Sequence, residues 1–368
     1  MSYKVLAINP GSTSTKIAVF DGKDCVYSEN INHDAATLKT FKEIPDQFDY
    51  RRAIIEERLK AAGVKIEEMD AYVGRGGGLV SMLGGTYNVN DIMYKHAKEC
   101  FAAKHPATLG PQFARYFSQK YGGRAFVVNP PDVDEFTDVA RITGIKGVYR
   151  ESRIHALNQK EIGIRYAERI GKKYEELNLI ICHLGGGISI TAHRQGRMID
   201  SNDIVNGDGP MTPSRSGSVS VNQVEKLCFD GKHTMADINA LASRAGGLTD
   251  LLGTSDCRDV TGMIMEGNTY AKLCYDAMIY QIGKYAGSMA VALEGKVDAV
   301  ILTGGISYDT YVTSELTRMC SFIAPVVVMA GEYEMEALAY GALRVLEGKE
   351  EAQEYSGIPV WNGFKEAL

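Results

Sequence analysis

The sequence predicts an α/β fold made of two related domains with a central cleft, and three observations carry that reading. A chain of 368 residues exceeds what one hydrophobic core usually serves. The segment from Val5 to Gly22 reads as apolar strand, Gly/Ser turn, alternating strand and polar turn, and the same grammar returns between Leu179 and Asp200. Each copy is followed by a second matching stretch, Met69-Asp70-Ala71-Tyr72-Val73-Gly74-Arg75-Gly76-Gly77-Gly78 in the first half and Val297-Asp298-Ala299-Val300-Ile301-Leu302-Thr303-Gly304-Gly305-Ile306 in the second.

Between these anchors, helical periodicity runs from Arg51 to Ala62, Tyr270 to Leu293 and Met335 to Leu346, with Gly63, Gly295 and Gly348 just beyond. Alternating strands and helices imply parallel strands at Tyr72-Val73 and Val300 to Leu302. Their carboxyl ends carry glycine turns, where ligands of such sheets bind. The expected division is residues 1–150 completed by a helix returning over 335–368, with 151–334 as the second domain. The Met and Tyr residues of Met278-Ile279-Tyr280, together with Met289, read as core of the long helix.

The opening turn, Asn9-Pro10-Gly11-Ser12-Thr13-Ser14-Thr15-Lys16, gathers backbone N–H groups, hydroxyls and one lysine where the chain reverses. That suits a phosphate cradle on a hairpin. It is not the Walker pattern, which requires a helix after the lysine; here the residues after Lys16 read as strand and Asp21-Gly22 as the next turn. Taken alone, the residues also fit an ordinary hairpin with surface hydroxyls.

Composition narrows the partners. A formal charge of −6 argues against nucleic acid, whose backbone calls for a concentrated basic surface. Seven cysteines without a C-x-x-C pair suggest reduced thiols rather than a disulfide framework or zinc site. The N-terminus enters a strand directly and no long apolar run follows, so a cytoplasmic protein without membrane partners is expected. A serine hydrolase would need G-x-S-x-G, which is absent from the sequence, and Cys182 and His183, adjacent on a strand, point to opposite faces.

The ordered motifs Asn9 to Lys16, Gly74-Arg75-Gly76-Gly77, Ile154-His155-Ala156-Leu157-Asn158-Gln159-Lys160, His183-Leu184-Gly185-Gly186-Gly187, Arg215-Ser216-Gly217 and Leu302-Thr303-Gly304-Gly305-Ile306 resemble the acetokinase family, and within it the butyrate kinases. That family belongs to the acetate and sugar kinase, Hsp70 and actin superfold. The resemblance implies duplicated ribonuclease H-like (actin/Hsp70-like ATPase) domains. It also implies reversible, in-line transfer of the γ-phosphoryl group of ATP to a short-chain carboxylate, butyrate first, giving an acyl phosphate and ADP. A branched acid such as isobutyrate, acetate or propionate, or a catalytically weak nucleotide sensor, are the alternatives. A carboxylate nucleophile is already ionised at neutral pH, so catalysis reduces to positioning and charge neutralisation.

By the same resemblance, Arg75 and Arg215 match the paired active-site arginines, whose guanidinium groups hold carboxylate or phosphoryl oxygens through parallel hydrogen bonds. His183 matches the histidine that stabilises the transferring group, and His105 a second histidine near the substrate. Alone, either arginine also fits an exposed loop residue and His183 a packed one. Asn9, Ser12, Ser14 and Lys16 match the first phosphate loop; Gly185, Gly186 and Gly187 match the second. Asp256, Arg258, Gly304, Gly305 and Ile306 match the nucleoside segments. For Mg²⁺, which takes oxygen ligands, Glu334 matches the family's acidic residue and Asp132 is a second candidate, although a glutamate opening a helix also suits the helix dipole. A homodimer or higher homo-oligomer is the family habit.

The pattern departs in three places. Where butyrate kinases read Val-Asp-Pro-Val-Val-Val-Asp-Glu, this chain has Val128-Asn129-Pro130-Pro131-Asp132-Val133-Asp134-Glu135, with an amide in place of the first acid. Either Asp132 or Asp134 takes over, or metal binding leans on Glu334 and ATP itself, or the protein has drifted in activity. Ser214 stands where the family often has Glu, and the residues around His105 differ from the usual His-Ala-Ser-Asn.

Overall fold

The computed structural model describes residues 2–364 and forms two sheets from β1 (Lys4–Pro10), β2 (Ser14–Asp21), β3 (Asp24–Asn32), β4 (Ala71–Gly74), β5 (Thr86–Asn88), β6 (Arg124–Val128), β7 (Asn178–Leu184), β8 (Ile188–Arg194), β9 (Arg197–Ser201), β10 (Ala299–Thr303), β11 (Val326–Val328) and β12 (Gln353–Glu354). The first sheet runs β12-β5-β6-β4-β1-β2-β3 and the second β11-β10-β7-β8-β9. The order β6-β4-β1-β2-β3 and the order β11-β10-β7-β8-β9 are one plan: an antiparallel three-strand meander extended by two parallel strands. Both meanders shift register between their second and third strands, at Val19/Phe20 and Ala192/His193. The repeat expected from the sequence is therefore a repeat of topology.

β1 is apolar on both faces because both are covered. Leu6 and Ile8, with Ile17, Val19 and Ile31, pack against the helices Phe48–Ala61 and Leu109–Tyr121 through Ile55, Leu59, Phe113 and Phe117. On the other face Val5 pairs with Phe20, whose ring meets Tyr340 of the helix Glu334–Leu346 edge-on at 6.0 Å. Each fully buried Leu or Ile of this kind contributes about 1.5–3 kcal/mol. In the second sheet, Ile180, Cys182, Leu184, Ile188 and Ile190 pack against the helix Thr269–Ala292 through Tyr275, Met278, Ile279, Ile282 and Met289. Asn268 caps that helix by accepting from Ala271 N–H. Tyr280, expected in the core, lies on the outer side of the helix and is 58% exposed.

The chain divides into two compact units, the first running to Asp134 and resuming at Tyr333, the second spanning Glu135 to Glu332. Residues 135–150 were expected in the first domain and belong instead to the second unit. Glu135 is paired with Lys160 at 2.8 Å and accepts the Met198 N–H, while Arg150 is bound to Asp200. No described helix is long and apolar enough to cross a membrane.

Candidate active site

In the first unit, the β1–β2 ladder closes at Pro10 and Thr15, leaving Gly11, Ser12, Thr13 and Ser14 to turn the chain, with Gly11 N–H donating to Ser14 O at 2.7 Å. Beneath this loop lies Arg51, fully buried. Its guanidinium donates from Nη1 to Gly11 O at 2.9 Å, Ser14 O at 3.1 Å and Thr15 Oγ1 at 3.1 Å, and from Nη2 to Ser12 O at 3.2 Å. The loop carbonyls are thus turned inward, leaving Ser12 exposed and Ser14 half-buried on the outside. Asn9 and Lys16 are directly opposed in the ladder, so they share a face of the sheet.

On that face the structure brings together three of the expected residues. Glu334, at the start of its helix, accepts from Asn9 Nδ2 at 2.8 Å on one oxygen and from Arg75 Nη1 at 2.8 Å on the other. Arg75 follows β4, and its backbone is approached so closely by the helix Leu109–Tyr121 that a Cβ on Gly110 would lie 2.0 Å from Arg75 O. Glycine is therefore required at that crossing. His105 lies close enough to Arg75 to feel its charge; burial first, then that charge, lowers its pKa. Its Nδ1 accepts from Ala107 N–H at 3.1 Å, which leaves the proton of the neutral ring on Nε2.

Asp132 is buried in the turn after β6, where its charge helps raise the pKa of the Tyr355 hydroxyl. Asn129, the departure from the family pattern, has a structural role. It sits at φ 38°, a conformation asparagine tolerates, and its Oδ1 accepts Gly85 N–H at 2.7 Å. No group of three or more His, Cys, Asp or Glu side chains among the described residues is arranged to hold a metal ion.

In the second unit, β7 delivers His183 on the face opposite Cys182, whose thiol is in the core. His183 Nδ1 is 2.9 Å from Asn158 Nδ2, its ring stacks on His155 with centroids 4.0 Å apart, and its Nε2 is 3.8 Å from Glu332. Gly185, Gly186 and Gly187 turn the chain into β8, held by Thr212 Oγ1 and Ser214 Oγ, which both donate to Gly186 O at 2.8 and 3.0 Å. Ser214 thus serves the turn.

Arg215 reaches the same turn. Its Nε donates to Ser243 O at 3.1 Å, whereas Nη1 is buried without a hydrogen-bond partner among the described residues. Burial lowers the guanidinium pKa, and Asp203 partly offsets this. A Cβ on Gly187 would lie 1.8 Å from Nη1. Gly187→Ala is therefore expected to displace the guanidinium and lower kcat by roughly 10²-fold, the typical cost of a 1 Å misplacement, with little change in melting temperature. Steady-state kinetics beside a thermal melt checks this, and an unchanged kcat would place Arg215 outside the chemistry.

A cavity of about 800 Å³ adjoins the second glycine turn, lined by Gly186, Pro213, Asp256, Cys257, Arg258, Gly305, Ile306 and Tyr308 among others. Its size and largely apolar walls suit a nucleoside. Asp256 and Arg258 pair at its rim at 2.6 Å, which pulls the carboxylate pKa down to about 2. Gly304 lies behind the wall, exchanging backbone hydrogen bonds with Gly331.

Sequence reasoning missed Arg51, His155 and Asn158 as functional residues. Arg51 had a signal, since Arg51, Ile55 and Leu59 form an i, i+4, i+8 stripe that is buried throughout. His155 and Asn158 lay within a quoted motif whose role was not assigned.

Solved structures with this architecture include the acetate kinase of Porphyromonas gingivalis, with a TM-score of 0.76, 21% identity, and coverage of 94% of this chain and 100% of that one. The propionate kinase of Francisella tularensis matches with a TM-score of 0.70 and 18% identity over 91% of this chain and 98% of that one. The fold is that of the actin/Hsp70-like ATPases, in duplicate. Residues 145–322 match the sequence profile of the acetokinase family. Butyrate kinase 2 of Clostridium acetobutylicum is 44% identical over 355 residues, covering 96% of this chain and 100% of that one. The chain belongs to the acetokinase family.

Proposed function

We propose that the protein transfers the γ-phosphoryl group of ATP to a short-chain carboxylate, butyrate or its branched isomer before acetate or propionate, and runs the reaction in both directions. Family membership and the 44% identity to a butyrate kinase support this reading. The single observation that carries it is the buried Nη1 of Arg215, the one arm of a guanidinium that finds no acceptor among the described residues, set at the glycine turn that follows His183. A buried donor left unmade is costly, and an anionic ligand supplies the acceptor.

In this reading Arg215 and His183 donate to equatorial oxygens of the transferring group, and Gly185 to Gly187 bring backbone near the phosphates without side chains in the way. The apolar cavity takes the nucleoside, with Asp256, Arg258, Gly305 and Ile306 along it. In the first unit, Ser12, Ser14 and Lys16 contact phosphate oxygens, and Arg75 and His105 serve the carboxylate. No base is needed, since the acceptor is already ionised. Glu334, held by Asn9 and Arg75, fits Mg²⁺ as a single carboxylate of the kind that binds this ion together with nucleotide phosphates and water. When bound, the ion neutralises charge on phosphoryl oxygens.

A hydroxamate assay with ATP, Mg²⁺ and acids of increasing chain length tests the reading. The expected result is acyl hydroxamate formation highest with butyrate or isobutyrate. Retained ATP binding without acyl phosphate from any short acid would overturn it.

A further inference from the structure

His155 and His183 stack with ring planes 21° apart. Each is met at Nδ1 by a polar side chain, the amide of Asn158 for His183 and the hydroxyl of Ser189 for His155. The amide nitrogen of Asn158 can only donate, so Nδ1 of His183 accepts. For His155 the direction follows from a longer buried chain. Gln159 Nε2 is 3.2 Å from Ile181 O and 3.1 Å from Ser189 O, two carbonyls that only accept, so this end of the amide must be the nitrogen. It also donates to Ser189 Oγ at 3.0 Å, and with one lone pair of that oxygen occupied we assign the Ser189 hydroxyl proton to His155 Nδ1, 2.9 Å away. At the other end Gln159 Oε1 accepts from His193 Nε2 at 2.9 Å, and His193 Nδ1 accepts from the Tyr174 hydroxyl at 2.5 Å. Burial first, then the charge of Lys160, lowers the His193 pKa well below its ordinary value, so that ring stays neutral as the chain requires.

We propose that Asn158, and the chain Tyr174, His193, Gln159 and Ser189, are positioning residues that hold both stacked histidines in the Nε2–H tautomer, so that each ring presents a hydrogen-bond donor at Nε2. The arrangement inverts the logic of the Ser-His-Asp triad. There a carboxylate accepts from Nδ1–H and leaves Nε2 as a base; here a donor at Nδ1 leaves Nε2 as an acid-side contact. A phosphoryl oxygen accepts from Nε2–H, whereas the other tautomer would turn a lone pair toward it. Neutral rings also suit a stack this close, since two adjacent imidazolium ions would repel each other. The inference deepens the reading of His183 as a contact to the transferring group and rests on it for its catalytic meaning, although the tautomers can be measured without turnover.

The test is a two-bond ¹H–¹⁵N correlation spectrum of the full chain labelled at histidine, with His155→Gln and His183→Gln giving assignments. Both rings are expected to be protonated at Nε2 and bare at Nδ1. Asn158→Asp keeps the shape but accepts from Nδ1–H. It should turn His183 over and lower kcat by about 10²-fold, the cost of one lost transition-state donor, with KM for ATP little changed.

In that variant His183 donates at Nε2 only as the cation, so its rate should fall as pH rises, on a limb the wild type lacks. The titratable and charged groups around His183 among the described residues include His155, Glu332 at 3.8 Å, and Arg215 at the same turn, and the variant keeps these. An Nδ1–H signal from either ring in the wild type overturns the proposal, as does Asn158→Asp with an unchanged His183 tautomer. If the variant does not fold, the wild-type spectrum alone decides. A protein with both tautomers as expected but no acyl phosphate in the hydroxamate assay would overturn the function and leave this inference standing.

Discussion

Arg215→Ala is expected to lower kcat by about 10³- to 10⁵-fold, or roughly 4–7 kcal/mol of transition-state stabilisation, while leaving the protein folded. Folding buries the Nη1 group of Arg215 with no acceptor among the described residues, and burial lowers the guanidinium pKa. A fold tolerates such an expense where function uses it. Alanine removes an unsatisfied buried donor, so the melting temperature should hold or rise even as turnover disappears, a combination that simple structural damage would not give. Arg215→Lys should recover little, because an ammonium cannot span two oxygens as a planar fork does. Arg75→Ala should lose turnover on a similar scale. It would also release one oxygen of Glu334, which then keeps only Asn9 of its two partners, so its stability should change more than that of Arg215→Ala. Single-turnover measurements with circular dichroism check both variants, and near-normal turnover in either would remove that arginine from the clamp.

What could be read in the sequence was whatever local pattern determines. The two meanders were legible because alternation and turn glycines are short-range signals, and the helices because their apolar stripes recur over several turns. The glycines around Arg75 and Arg215 were legible as turns, though not as the reason those side chains lie where they do; that depends on a backbone crossing at Gly110 and on a guanidinium beside Gly187. Asn129 shows what a comparison of motifs leaves out. Set against a family carboxylate it reads as an amide in place of an acid; its left-handed backbone and bond to Gly85 N–H also make it a turn device, a role visible only once Gly85 is beside it. The boundary after Asp134 was equally hidden, because the ion pair of Glu135 with Lys160 spans a sequence gap that no local pattern reports.

Arg51 carries the second large effect. Arg51→Met should cost on the order of 3–5 kcal/mol, since the inward carbonyls of Gly11 and Ser12 would lose their guanidinium donor, each unsatisfied group costing about 1–3 kcal/mol before relaxation, while Ser14 O keeps the Gly11 N–H and Thr15 Oγ1 keeps His33. For a chain of this size that corresponds to a fall of roughly 5 °C in melting temperature. The kinetic consequence separates loop positioning from plain stability. Without Arg51 the carbonyls of Gly11 and Ser12 are free to turn outward, presenting acceptors where a phosphate needs donors, so KM for ATP should rise well before the protein unfolds. Arg51→Lys tests the geometry, because one ammonium retains the charge and cannot serve carbonyls on both Nη1 and Nη2 sides at once. It should restore part of the stability and little of the nucleotide affinity. Thr15 adds a control: its hydroxyl also lies 2.8 Å from His33 Nε2, so Thr15→Val removes one acceptor of the guanidinium while leaving the three carbonyl contacts. A smaller loss of stability with a near-normal KM is expected there. An Arg51→Met protein with wild-type KM for ATP at temperatures where it is fully folded would mean that the loop holds its shape through the β1–β2 ladder alone.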